Sequence, residues 1–173
     1  MKLGITTGTC ASAAALGALF KALGKDLSCV KTLLPNGEYI DVEIFQAGVR
    51  PDGHYFSLVK KDAGDDPDVT DGILIGASLL ITPGKQNISI RGGKGVGKVT
   101  KPGLYLEPGE WAINPVPRKQ IVDNLLRYLP KNWDLQVELF VPNGSEIATQ
   151  TFNSDLGIEG GISILGTTGR VFP

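Results

Sequence analysis

The sequence predicts an α+β fold in which helices pack against a mixed or antiparallel β-sheet. Three features predict this class: an alanine-rich stretch with leucines at helical spacing, strand-like runs on both sides of an Asn-Gly turn, and a second helical pattern followed by strand-like residues. The length of 173 residues suits one domain or two small ones. A hydrophobic content of 42% argues against a disordered chain.

The first predicted element is a helix that begins near Ala11. Thr9 is a natural N-cap for this helix, and Gly24 ends it. Its larger apolar side chains recur at helical spacing, at Leu16, Leu19, Phe20 and Leu23.

Strands are predicted after this helix. Residues 28–45 contain two strand-like runs around Pro35-Asn36-Gly37, which is a hairpin signal. A third strand is expected from His54 to Val59, and further strands in the apolar runs at residues 73–81 and 87–90.

A second group of elements begins at Pro115-Val116-Pro117. A helix is predicted there that ends at Pro130. Residues 135–152 again predict two strands, around Pro142-Asn143-Gly144.

The two predicted hairpins resemble each other. Leu34-Pro35-Asn36-Gly37 with Ile40 and Phe45 matches Val141-Pro142-Asn143-Gly144 with Ile147 and Phe152, and each hairpin follows an amphipathic helix. Two similar turns would explain this, since Asn-Gly is common in hairpins. The alternative is a duplicated helix–strand–strand unit, which would give quasi-symmetric halves at residues 1–110 and 111–173.

Composition excludes several classes of protein. Glycine, at 23 residues, is about twice as frequent as usual but has no three-residue period, so the chain is not collagen-like. There is no apolar run long enough for a membrane-spanning helix. A net charge of −1 lacks the basic signature of a nucleic-acid binder. Two cysteines are too few for a disulfide framework, so a cytoplasmic protein is expected.

The residues also offer no metal site. With one histidine and two distant cysteines, there is no zinc or catalytic-triad constellation, so we expect no protein-bound metal.

Four glycine-containing segments are candidates for function, and the first is residues 4–10. Thr6, Thr7 and Thr9, together with free amides at a helix N-terminus, would make an anion site. Cys10 in the first helical turn would have a lowered pKa, although a small buried cysteine is the commoner explanation.

The second segment, residues 60–72, is rich in acids. Five of the 18 acidic side chains fall between Asp62 and Asp71, so some must face a cation or share a proton. Asp65 or Asp66 could act in acid–base chemistry, with Lys61 beside them. A solvated turn would explain two or three of the acids, and the spacing does not follow an EF-hand.

The third segment, residues 91–103, is a near miss to a nucleotide-binding P-loop. Val99 stands where the P-loop has Ser or Thr, and Pro102-Gly103 prevents the helix that must follow. What remains is a glycine nest with four cations, which suits a ligand that has several carboxylates or phosphates. Its cations are Arg91, Lys94, Lys98 and Lys101.

The fourth segment, residues 157–169, repeats the Thr-Thr-Gly of the N-terminus. A plain strand-to-turn transition would also explain its glycines.

Taken together and in this order, these segments resemble the cobalt-precorrin-5B C(1)-methyltransferase family, CbiD. The resemblance rests on TTGTCASAAALGAL, KDAGDDPDVTDG, RGGKGVGKVTKPGL, the stretch Ala112–Arg118, and GIEGGISILGTTGRV. It implies S-adenosylmethionine-dependent methylation of C-1 of a cobalt-containing corrinoid precursor in anaerobic cobalamin biosynthesis, with cobalt-precorrin-6A as the product. Cobalt would enter only as part of this tetrapyrrole substrate.

The resemblance also implies roles for individual residues. Asp65 and Asp66 are the candidate catalytic carboxylates. The residues expected to bind the methyl donor are Gly166, Thr167 and Thr168. The residues expected to bind the substrate, whose ring is fringed with carboxylates, are Thr6, Thr7, Thr9, Lys61, Arg91, Gly93, Gly95, Lys98, Lys101 and Arg118.

Members of this family run to about twice this length, with a Rossmann-like C-terminal half. We therefore expect residues 1–173 to form the family's N-terminal α+β domain. For partners, we expect either further copies of the same chain in a homo-oligomer or a C-terminal half. A non-catalytic corrinoid-binding module, or a split subunit that needs a second polypeptide, is the alternative function.

Overall fold

A computed structural model describes residues 2–65, 68–103, 106–151 and 153–172. The helices are α1 (Thr7–Ala22), α2 (Pro115–Leu126), α3 (Gly144–Ala148) and α4 (Asn153–Leu156). The longer strands are β2 (Cys29–Leu33), β3 (Tyr39–Glu43), β4 (Gln46–Val49), β5 (Tyr55–Lys60), β6 (Leu74–Pro83), β7 (Ile88–Gly92) and β9 (Trp133–Phe140). Two-residue strands are β1 (Gly4–Ile5), β8 (Lys98–Val99), β10 (Ile158–Glu159) and β11 (Arg170–Val171).

Helix α1 is the centre of the core. Every residue from Thr7 to Phe20 is buried, because β5 and β6 contact one part of the helix surface while α2 and β2 contact another. Small side chains permit this close approach: a Cβ added at Gly17 would lie 2.6 Å from Ser57 Oγ. The alanine-rich sequence thus reflects packing on all sides of the helix.

The start of α1 differs from the prediction. The N-cap is Thr6 and not Thr9, because Thr6 Oγ1 accepts a hydrogen bond from the Thr9 N–H at 3.1 Å. Helix α1 therefore begins at Thr7, four residues before Ala11.

The main sheet has the strand order β4-β5-β6-β9-β7. Neighbours are antiparallel except β7 and β9, which are parallel, so the predicted α+β class with a mixed sheet is confirmed. Strand β9 lies between β6 and β7, which places residues from both sides of position 110 in one sheet. Strand β4 was not predicted.

The hairpin formed by β2 and β3 is confirmed, and it is fixed to α2 by one buried amide. Asn124 Oδ1 accepts a hydrogen bond from the Leu33 N–H at 2.7 Å, and Asn124 Nδ2 donates to the Leu33 carbonyl at 2.9 Å. The Asn124 side chain therefore satisfies the backbone N–H and carbonyl of Leu33 at the hairpin edge, as a neighbouring strand would.

The prediction of a second hairpin is wrong. After β9 and the turn at Pro142-Asn143, the chain forms the short helix α3, where a strand was expected. Gly144 packs directly on the backbone of Gly95, which holds this turn against the loop after β7. The chain from α2 onward therefore does not repeat the helix–strand–strand order of α1, β2 and β3. Phe152, which belongs to the compared pattern, lies outside the described residues.

The last residues return to the start of α1. Strand β11 pairs with β1, and the Thr6 N–H donates to the Gly169 carbonyl at 3.2 Å. The two ends of the chain thus meet at the N-terminus of the central helix. None of the described helices is long and apolar enough to cross a membrane.

Candidate functional site

A cavity of about 480 Å³ opens beside the N-terminus of α1, and we call it the α1 pocket. Its apolar lining consists of Val69, Ile162, Leu165 and Val171. Its polar lining consists of Thr6, Thr7, Lys61, Asp68, Thr70, Gln150, Thr151, Asn153 and Ser163. Three of the four segments singled out in the sequence therefore converge here: residues 4–10, 60–72 and 157–169.

The wall next to α1 is built by Thr7. Its Oγ1 accepts a hydrogen bond from the Leu165 N–H at 2.9 Å and lies 3.1 Å from the Ser163 carbonyl, to which it can donate. The Gly8 N–H donates to the Leu165 carbonyl at 3.0 Å. The expectation of free amides at this helix start is wrong at Gly8 and Thr9, because both N–H groups have partners within the protein.

Lys61 is the notable polar group of the pocket. Its side chain is only 3% exposed, and its Nζ has no hydrogen-bond partner among the described residues. Among the described residues, the carboxylate oxygen nearest to Lys61 Nζ is Asp68 Oδ1, at 3.9 Å. An amine that is buried without hydrogen bonds is costly, so its presence at a cavity wall indicates a site for an anionic or acceptor group.

Asp68 is the acid that the loop brings to this pocket. Its Oδ1 accepts hydrogen bonds from the Thr70 N–H at 2.8 Å and the Thr70 hydroxyl at 2.6 Å. Partial burial raises the pKa of Asp68, but the Thr70 hydrogen bonds and the charge of Lys61 outweigh it, so the net pKa is lowered. Asp68 is therefore ionised at neutral pH.

Three other acids of the loop have partners among the described residues, and one of these partners is a lysine side chain. Asp62 forms a 2.8 Å ion pair with Lys2, Asp65 accepts a hydrogen bond from the Lys2 backbone N–H, and Asp71 accepts one from the Ala63 N–H at 2.9 Å. Asp65, a predicted catalytic carboxylate, does not line the α1 pocket. Asp66, the other, lies outside the described residues.

Cys10 is fully buried in α1. Burial raises the pKa of its thiol to about 12, so the expected lowering by the helix terminus is wrong. The alternative of a small buried cysteine is the one that the structure shows.

The basic segment at residues 91–103 is packed against the rest of the chain. The Gly93 N–H donates to the Leu139 carbonyl at 2.8 Å, and the Gly97 N–H to the Ile162 carbonyl at 2.9 Å. A Cβ at Gly95, which has φ of +80°, would collide with the Val141 carbonyl. The glycines here permit close backbone contact, and the amides of Gly93 and Gly97 do not form an open anion nest.

The cations of this segment point to separate partners. Arg91 forms a 2.8 Å ion pair with Glu138, while Lys98 Nζ lies 4.4 Å from the centre of the Trp111 ring. Lys101 Nζ lies 3.5 Å from the Asp155 carbonyl. They do not line the α1 pocket.

The remaining predicted residues near α1 bind other parts of the chain. Thr9 Oγ1 donates to the Gly169 carbonyl at 2.8 Å and accepts from Gln120 Nε2 at 3.0 Å, in a fully buried position. Arg118 Nε donates to the Ile113 carbonyl at 3.0 Å, which ties the first turn of α2 to the chain before it.

The predicted donor-binding loop divides between two surroundings. Thr167 lines a second cavity of about 570 Å³ between the β2–β3 hairpin and the start of α2. Gly166, at φ of +125°, packs on the Thr6 side chain, and Thr168 Oγ1 lies 3.0 Å from the Arg170 carbonyl.

Sequence reasoning missed Asp68, Thr70 and Ser163 as pocket residues. Asp68 and Thr70 lay within a segment that was singled out, but its conformation decides which acid faces inward. Ser163 interrupts an apolar run, Ile162-Ser163-Ile164-Leu165, and this was the available signal.

Comparison with known proteins identifies relatives along the whole chain. A model of the CbiD family matches residues 1–173. Two similar curated proteins are the cobalt-precorrin-5B C(1)-methyltransferases of Methanosphaera stadtmanae, 45% identical over 99% of this chain and 45% of that protein, and Thermosipho africanus, 45% identical over 100% and 48%. The enzyme of the same name from Geotalea daltonii is 46% identical over 100% of this chain and 50% of its own length.

A solved structure agrees with these matches. The 1.9 Å crystal structure of the cobalamin biosynthesis protein CbiD from Archaeoglobus fulgidus superposes with a TM-score of 0.77 and 36% identity, over 99% of this chain and 54% of that one. The chain thus spans about half the length of the curated relatives it matches.

Proposed function

The chain belongs to the CbiD family, and from this we propose that it binds cobalt-precorrin-5B and takes part in methylation of its C-1 to give cobalt-precorrin-6A. The observation that carries the proposal is the convergence of three family-like segments on the α1 pocket, with the Lys61 amine buried in its wall. The curated relatives bear the name of this methyltransferase, which supports the choice of reaction.

The chemistry of the α1 pocket suits one edge of a tetrapyrrole. A precorrin is a flat apolar ring fringed with acetate and propionate carboxylates. The apolar lining of Ile162 and Leu165 would contact the ring edge, while Lys61 would meet a negatively charged side arm. A cavity of this size with few convergent polar groups is typical of small-molecule sites.

We propose S-adenosylmethionine as the methyl donor, because the named relatives are methyltransferases and the family resemblance implies this donor. It would supply an electrophilic methyl group on a sulfonium sulfur. Thr167 is the residue of the predicted donor loop that lines a cavity, and it is the residue we assign to the donor.

The contribution of these residues to rate would be orientation and charge. Holding the substrate ring at a fixed angle lowers the entropic cost of aligning the acceptor carbon with the methyl group. A lysine that fixes one side arm and a carboxylate that stays ionised beside it supply a preorganised electrostatic environment. In this proposal Asp68 takes the place that the sequence assigned to Asp65 and Asp66.

We infer a cytoplasmic location from the cysteines. Cys29 is an exposed free thiol and Cys10 a buried one, a combination typical of a reducing compartment.

The proposal is tested by anaerobic incubation of the chain with cobalt-precorrin-5B and S-adenosylmethionine labelled in its methyl group, alongside calorimetry with S-adenosylhomocysteine. Label in a cobalt-precorrin-6A product, together with binding of S-adenosylhomocysteine, is the expected result. Tight corrinoid binding without turnover or donor binding would favour the non-catalytic binding module. An absence of corrinoid binding would contradict both functions.

A further inference from the structure

Two polar groups of the α1 pocket lack hydrogen-bond partners among the described residues. One is Lys61 Nζ, and the other is the hydroxyl of Ser163, a residue only 7% exposed. Both residues line the same cavity, Lys61 from the acidic loop and Ser163 from the segment after β10. Buried polar groups are normally satisfied, so two such groups at one cavity indicate a ligand that satisfies them.

Asp68 does not satisfy the amine. Its Oδ1 is 3.9 Å from Lys61 Nζ, which is beyond hydrogen-bond distance, and the same oxygen accepts two hydrogen bonds from Thr70. Asp68 therefore balances the charge of Lys61 while the N–H donors of that amine stay available to a ligand.

We propose that Lys61 and Ser163 receive one carboxylate of an organic ligand, and that Asp68 is the counter-ion whose charge limits the affinity for it. A carboxylate fits better than a phosphate, because a dianion next to the ionised Asp68 would meet stronger repulsion. The inference rests on the proposed function, whose substrate carries such carboxylates on its ring. The carboxylate of the methionine part of the donor has the same chemistry, and the experiment separates the two sources.

The backbone of Lys61 is fixed, and its side chain, only 3% exposed, has little room for other rotamers. The Lys61 N–H donates to the Ile73 carbonyl and its carbonyl accepts from the Gly72 N–H, both at 2.8 Å. A preorganised donor loses little side-chain entropy when the ligand arrives, which favours affinity.

The test compares ligands that differ in their carboxylates, by calorimetry. Dicyanocobyrinic acid carries carboxylate side arms, and dicyanocobinamide carries amides on a similar ring. S-adenosylhomocysteine and methylthioadenosine form a second pair, of which only the first has a carboxylate. Lys61→Met and Ser163→Ala are the test variants, and Lys25→Met, at an exposed lysine outside the pocket, is the matched control.

Wild type is expected to prefer the carboxylate member of one pair by about 10- to 100-fold, the value of a charge-assisted hydrogen bond. Lys61→Met should abolish this preference, Ser163→Ala should reduce it several-fold, and Lys25→Met should leave it intact. Asp68→Asn should strengthen binding of the carboxylate ligand, because the competing charge is gone.

Folding of the variants is checked by thermal melting. Lys61→Met replaces an unsatisfied buried amine by an apolar side chain of similar length, so its Tm should equal or exceed that of wild type. If Lys61→Met does not fold, Ser163→Ala and Asp68→Asn decide the question.

The outcomes distinguish this inference from the proposed function. Corrinoid binding without a Lys61-dependent preference in either pair overturns the inference while the proposed function stands. A Lys61-dependent preference in the adenosyl pair, without any corrinoid binding, supports the inference and contradicts the proposed function. No Lys61-dependent preference in either pair overturns the inference.

Discussion

The buried polar side chains of this protein differ in whether they have hydrogen-bond partners within the described residues. Thr9 and Asn124 are fully buried and hydrogen-bonded within the chain, so they stabilise the fold. Lys61 is almost as buried, but its amine has no hydrogen-bond partner among the described residues. A group of the first kind should affect stability when it is replaced, and one of the second kind should affect binding.

The Asp62–Lys2 ion pair leads us to predict how thermal stability depends on pH. The hydrogen bond from the Lys2 side chain, followed by that from the Gly64 N–H, lowers the pKa of Asp62 below its ordinary 3.8. A carboxyl whose folded-state pKa is depressed stabilises the protein above its unfolded pKa, and this is lost as the pH falls through the folded pKa. Asp62→Asn should therefore lower the Tm by about 1–3 °C at pH 7, and this difference should shrink as the pH falls through the folded-state pKa of Asp62.

Thermal melts at intervals between pH 7 and pH 2 check this prediction. Asp26→Asn is a suitable control, since Asp26 forms another lysine pair, with Lys21, far from the loop in sequence. A difference in Tm for Asp62→Asn that did not shrink as the pH fell would mean that the carboxylate charge is not its cause.

At the scale of elements, glycine determines how closely segments approach one another. The Gly95 backbone touches the backbones of Gly144 and Gly161, where an added Cβ on either neighbour would collide with the Gly95 carbonyl. This cluster joins the loop after β7, the start of α3 and the segment after β10. These three glycines are explained by packing between elements rather than by ligand contact.

Gly95→Ala tests that explanation against Gly53→Ala. Both glycines have positive φ, +80° and +87°, but a Cβ at Gly53 meets nothing within 4 Å while one at Gly95 meets the Val141 carbonyl. The shared backbone strain should cost about 1–3 kcal/mol in each variant, and overpacking should cost Gly95→Ala about 1–3 kcal/mol more. Urea unfolding measures both values, and equal losses of stability would exclude the close contact.

Across the whole molecule, local sequence patterns predicted correctly those elements whose structure depends on residues close in sequence. The helical spacing of Leu16, Leu19 and Phe20, and the Asn36-Gly37 turn signal, correctly gave α1 and the β2–β3 hairpin. The same turn signal failed at Asn143-Gly144, because Gly144 is held on Gly95, about 50 residues earlier in the chain.

The candidate site was predictable only in part for a similar reason. The segments that form the α1 pocket carry visible polar and glycine patterns, so their importance could be inferred. Which of the described acids in residues 62–71 faces the pocket depends in part on distant contacts. Lys2, near the N-terminus, binds Asp62 and Asp65, while the Ala63 N–H within the loop binds Asp71. Lys61 and Asp68 are left at the cavity by that distribution of contacts, which no local spacing encodes.

Thr9 connects three distant parts of the molecule, and its replacement tests whether they unfold together. Thr9→Val keeps the shape of the side chain but leaves the Gly169 carbonyl and Gln120 Nε2 without their shared partner. The loss should be about 1–3 kcal/mol in one cooperative urea transition, because α1, α2 and the C-terminal segment share this contact. Thr149→Val, at an exposed threonine whose hydroxyl bonds only locally, should change stability by less than about 0.5 kcal/mol. Corrinoid binding by the folded Thr9→Val protein should be unchanged; lost binding at unaltered stability would instead make Thr9 the ligand contact that the sequence suggested.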